Sequence, residues 1–78
     1  MHRPHDLDRR AERIRRQAER IAVLIVSTDY PLVDIAIERS QLRDKVERFF
    51  PDRMSMYDQI YESRFDRLIE QWREDDDE

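Results

Sequence analysis

Apolar residues recur three and four positions apart along this chain, and the repeat stops and restarts twice. Leu7, Ala11, Ile14, Ala18, Ile21 and Ile25 form one stripe, while Arg9, Arg13, Arg16 and Arg20 fall on the opposite side. Alternating steps of four and three keep residues on one face of a helix, so an amphipathic helix is predicted over 6–27. Tyr30-Pro31 and Phe50-Pro51 then interrupt, because a proline pushes the residue before it out of the helical region. A second helix is predicted over 31–49. Its stripe is Leu32, Ile35, Leu42, Val46 and Phe49, with Arg39 interrupting, Pro31 at the first helical position and Asp34 in the first turn. A third is predicted over 53–73, with Met54, Tyr57, Tyr61, Phe65, Leu68 and Trp72 facing inward and Asp52 or Ser55 as its cap.

The middle of the chain admits a competing pattern. Two apolar, β-branched runs at 21–26 and 32–37 flank a short polar link, as in a hairpin. Each run continues a helical stripe from outside itself, and the link lacks the Gly or Asn that hairpin turns prefer. Helices are therefore the expectation. Short links make sequential helices antiparallel neighbours, so the expected fold is all-α, a small three-helix up-down-up bundle over 6–73. Residues 1–5 and the acidic block 74–78 are expected to be flexible tails.

Composition narrows the function. The chain has 78 residues, no Gly and no Cys, and a formal charge of −4. Without Cys there is no disulfide, thiolate metal site or Cys nucleophile, and without Gly there is no glycine-rich phosphate loop. No apolar run approaches the ~20 residues that span a bilayer, and the charged N-terminus does not read as a signal peptide. The expected location is the cytoplasm, with no membrane partner. Charge is unevenly spread: residues 1–20 are net +3, residues 21–70 net −3 and residues 71–78 net −4.

The catalytic inventory is thin. His2 and His5 lie near the N-terminus without further ligands, and no Glu-x-x-His pair exists, so neither a metal nor another cofactor is expected. No His stands within the helices to serve Ser27, Ser40, Ser55 or Ser63 as a base. Asp58, Glu62 and Asp66 share a face of the third helix, where they form a solvated acidic row or a partner for arginines. Arg39, alone among apolar neighbours, is the residue to watch for anion stabilisation. The chain is thus expected not to be an enzyme.

Apolar residues left over from the stripes suggest a partner. Near this size one core supplies only about 3–5 kcal/mol unless packing is very good or the chain oligomerises. Val23, Leu24, Val26, Tyr30, Val33 and Ile37 cluster within fifteen residues and form the candidate protein interface. The function expected is a non-enzymatic interaction or assembly module, most simply a homodimer, with another protein as the alternative partner. Arg9, Arg13, Arg16 and Arg20 form a candidate polyanion-binding stripe. The competing function is nucleic-acid binding, through that stripe or through a helix-turn-helix-like spacing of Ala36, Ser40, Val46 and Phe49. Against it stand an acidic whole, Glu12 and Glu19 beside the stripe, and Gln41 where that motif has an apolar residue.

Overall fold

In the computed structural model, residues 4–27 and 29–73 are described, with side chains from Asp8 onward. The chain is all-helical, with no strand among the described residues. Helix α1 spans Pro4–Val26 and α2 spans Leu32–Phe49. The third helix, α3, follows a 3₁₀ turn at Pro51–Arg53 and has three parts: α-helical Met54–Tyr57, π-helical Asp58–Glu62 and α-helical Ser63–Arg73. Both runs proposed for a hairpin are helical. The acidic block 74–78 and His2 lie outside the described residues.

Local chemistry explains the boundaries. Pro4 starts α1 two residues earlier than the stripe predicts, at a position where a missing N–H costs nothing. Pro31 is the N-cap of α2 rather than its first residue. Its ψ of 141° is extended, and its carbonyl accepts the first helical bonds, from Asp34 and Ile35 at 3.1 Å each. Asp52 does not cap α3; it lies within the 3₁₀ turn, and no side chain caps the helix that follows.

Side-chain pairs fix the topology. Arg20 meets Glu38 and Gln17 meets Lys45, so α1 and α2 run antiparallel. Arg43 meets Asp58 and Arg39 meets Asp66, so α2 and α3 are antiparallel too. Arg64 meets Glu19 and Arg73 meets Ile25, which leaves α1 and α3 parallel. The path is up-down-up.

The core is small. Ile14, Ala18, Ile21 and Ile25 of α1 pack on Ile35, Leu42 and Val46 of α2 and on Tyr57 and Phe65 of α3. Phe65, at the centre, is fully buried. Two stripe positions depart from expectation. Ala11 is exposed, and so is Trp72, at 47%. The π turn of α3 lies between Tyr57 and Phe65. Its hydrogen bonds reach five residues back, as from the Ser63 N–H to the Asp58 carbonyl, and the wider turn absorbs an extra residue. The Ser63 hydroxyl donates to the same carbonyl at 3.2 Å. The buried side chains of α3 are Tyr57, Phe65 and Arg73, so the last inward one is Arg73, with Trp72 beside it exposed.

Arg73 is 3% exposed. Its Nε donates to the Ile25 carbonyl at 2.7 Å, and Nη2 reaches the carbonyls of Leu24 (2.9 Å), Ser27 (2.7 Å) and Tyr30 (2.7 Å). Leu24 and Ile25 lie in the last turn of α1, where carbonyls have no partner within the helix and the helix dipole is negative. Ser27 and Tyr30 belong to the link to α2. One guanidinium thus ties the end of the chain to the first reversal. Arg73→Ala is expected to lower stability by about 3 kcal/mol, since it strands buried acceptors. Arg73→Lys should recover only part of that, lacking the planar fork, and exposed Arg67→Ala should change it by about 0.5 kcal/mol or less. Urea unfolding followed by circular dichroism measures all three.

Candidate functional site

Three seams run between the helices, and their chemistry differs. The α2–α3 seam is neutralised by ion pairs. The acidic row of α3 meets arginines of α2: Arg43 pairs with Asp58, and Arg39 pairs with Glu62 and with Asp66 at 3.0 Å. Tyr57, buried beneath, donates its hydroxyl to Glu62 at 2.8 Å. Burial, then the bond to Glu62, pushes the Tyr57 phenol well above its ordinary value. Arg39 also sits over the Phe65 ring, 5.4 Å from its centre. Burial opposes the charge on Arg39, but its bonds to Glu62 and Asp66 outweigh that and raise its pKa. A cleft of about 380 Å³ lies beside Arg39, lined also by Ala36, Ser40 and Ile69. With two carboxylates on one guanidinium, Arg39 has little charge left for a substrate anion. The row's partner is therefore α2, not the arginines of α1.

The α1–α2 seam divides into two halves. Near the link, Arg20 Nη2 donates to Glu38 at 3.2 Å and the Tyr30 hydroxyl donates to the same carboxylate at 2.8 Å. The bond from Arg20, then that from Tyr30, holds the Glu38 carboxyl below its ordinary value. At the other end, Arg10, Arg13, Lys45 and Arg48 line a cleft of about 510 Å³ together with Gln41 and Phe49, with Asp44 as the one carboxylate among the lining residues.

The α1–α3 seam is an open groove. At one end Ala11, Ile14, Val46, Phe50, Met56, Tyr57, Ile60 and Tyr61 line a largely apolar cleft of about 280 Å³, with Arg53 as the one charged residue of its lining. At the other, Ala22, Val23, Val26 and Leu68 line one of about 390 Å³. Glu19 and Arg64, which also line this second cleft, pair at 3.7 Å on the side toward the first. Met56, Ile60 and Val23 are each at least half exposed. Trp72, one turn beyond Leu68, continues the apolar line.

The residues singled out in the sequence distribute across these seams. Val23 and Val26 border the α1–α3 groove. Leu24 and Tyr30 pack half-buried against the core, with Tyr30 also held by Glu38. Val33 and Ile37 are exposed on α2, on the face opposite Ile35. The six residues therefore do not form one surface. Of the arginine stripe, Arg20 is committed to Glu38, Arg13 enters the basic cleft, and Arg9, Arg13 and Arg16 share a shallow surface with Asp8 and Glu12. Glu12 itself is held by Arg15 at 2.7 Å. Met56 and Ile60 fell off the predicted stripe; their spacing of four, like that of Arg64 and Leu68, signals a second face of α3. Ala36, Ser40, Val46 and Phe49 lie on one continuous helix, so no helix-turn-helix forms there.

No group of His, Cys, Asp and Glu among the described residues could hold a metal ion, and no described helix is long and apolar enough to cross a membrane. No protein-family model, curated protein or solved structure matches the chain.

Acid should loosen the α1–α2 seam first. A carboxyl held below its ordinary value stabilises the fold at neutral pH, and that share is lost as pH falls below about 4. Melting temperatures measured from pH 7 to pH 3 should fall more steeply for the parent protein than for Glu38→Gln, which has no proton to take up.

Proposed function

We propose that this protein is a non-enzymatic interaction module that works as a homodimer, joined through the α1–α3 groove. The observation that carries the reading is the order of chemistry along the groove: a largely apolar cleft with Arg53 in its lining, then the Glu19–Arg64 pair, which borders a second cleft lined by Ala22, Val23, Val26 and Leu68. A second copy suits that order. A two-fold axis running along the helices lays α1 on the partner's α3. Glu19 then meets Arg64 of the partner subunit, and each apolar end covers its counterpart. An axis across the helices would set Glu19 on Glu19 of the partner subunit, which repulsion disfavours. Isologous contact of this kind is the commonest form of homomeric assembly.

Energetics support the same reading. Met56, Ile60, Val23 and Trp72 expose large apolar side chains in a protein whose fully enclosed core holds few residues. Removing such surface from water contributes about 25 cal/mol per Å² before the costs of association. The groove takes Val23 and Val26 from the expected interface and adds residues of α3; Val33 and Ile37 remain outside it.

Sedimentation across a hundredfold concentration range tests the reading. A dimer is expected, with Ile60→Asp shifting it to monomer at unchanged helicity. Val33→Asp, on the far face of α2, should leave the dimer intact. A monomer at every concentration, or dissociation by Val33→Asp but not by Ile60→Asp, would overturn the groove assignment.

A further inference from the structure

The basic half of the α1–α2 seam has a use that self-association through the opposite groove does not explain. Arg10 and Arg13 of α1 face Lys45 and Arg48 of α2 across a concave cleft whose lining has Asp44 as its one acid. Elsewhere in this net-acidic chain Arg15, Arg20, Arg39, Arg43 and Arg64 form ion pairs, while Arg9, Arg16, Arg53 and Arg67 form none among the described residues. What sets the cleft apart is that its cations converge on one hollow from two helices. Arg13 and Arg48 make no ion pair among the described residues, although Asp44 is close at hand. Two of the four cations are also held in place. Arg10 stacks on the Phe49 ring, 4.5 Å from its centre, and Lys45 Nζ donates to Gln17 at 2.7 Å. Like charges gathered and oriented around a hollow cost folding energy, and a multivalent anion in that hollow would offset the cost.

We propose that this cleft binds a compact oligophosphate, a chain of two or three linked phosphates, free or carried on a small molecule. The two cation pairs each span three residues, just under one helical turn, about 4.5 Å along the axis. That length suits a short phosphate chain and is too short for a nucleic-acid strand, whose binding grooves cover at least about four nucleotides. Arginine forks grip phosphate oxygens in pairs, and Lys45 adds a point charge. Phe49 lines the cleft and holds the Arg10 guanidinium against its ring.

Calorimetric titration of the full chain with inorganic tripolyphosphate at about 50 mM salt tests this. One saturable site per chain is expected. Arg13→Ala and Arg48→Ala should each weaken it about tenfold, while Arg9→Ala and Arg16→Ala, equally basic but outside the cleft, should leave it nearly unchanged. Arg13 and Arg48 are exposed, so these variants should keep their helicity by circular dichroism. Absence of saturable binding would overturn the proposal. So would equal losses from all four variants, which would mean a diffuse basic field, or tighter binding of an oligonucleotide than of tripolyphosphate. Sedimentation of the same variants keeps the two proposals separate, since none of these residues lies in the α1–α3 groove.

Discussion

Arg73 holds the bundle's ends together. A helix that stops leaves its last carbonyls without partners, and in α1 those carbonyls point toward the core rather than fully into water. The Arg73 guanidinium meets Leu24 and Ile25 there, and Ser27 and Tyr30 in the link that follows. That contact sets the height of α3 beside α1. The Glu19–Arg64 pair and the two clefts of the groove sit in register because the two helices are pinned at one end. The π turn is the other half of the arrangement. It lies between Tyr57 and Phe65 and lets both face the core although they are eight residues apart.

Much of the fold was legible in the sequence, for a physical reason. Helical periodicity is a local property, and prolines before the second and third helices mark where it must break. The inward residues Ile14, Ile21, Ile25, Ile35, Leu42, Val46, Tyr57 and Phe65 all lie on the predicted stripes. The main failure lies at the end of α3. A constant step of about 3.6 carries its stripe to Trp72, whereas the buried side chain there is Arg73; the one wider turn lies earlier, between Tyr57 and Phe65. An arginine at an inward position also reads as surface, because its value depends on carbonyls nearly fifty residues away.

The candidate surfaces were harder to read for a related reason. Sequence proximity grouped Val23 with Val33 and Ile37, but the link turns the chain, and the helices present these residues on different sides. Val23 instead joins Leu68 across the α1–α3 groove. The arginine stripe was visible as a stripe on one helix. What it lacked was α2, which supplies Glu38 to neutralise Arg20 and supplies Lys45 and Arg48 to extend the charge around Arg13. The acidic row of α3 was visible too, and its meaning came from Arg39 and Arg43 opposite. Charge in this protein is thus sorted by seam: cancelled between α2 and α3, self-complementary along the α1–α3 groove, and left positive at one end of α1–α2.

The groove is the centre of this account, and complementary charge reversal tests it most directly. Glu19→Arg makes the middle of the groove wholly basic, and Arg64→Glu makes it wholly acidic. Each variant alone should sediment as a monomer, because a second copy would bring like charges together. An equimolar mixture should sediment as a dimer containing one chain of each. A mixture that behaves as the sum of its separate components would contradict assembly through this face.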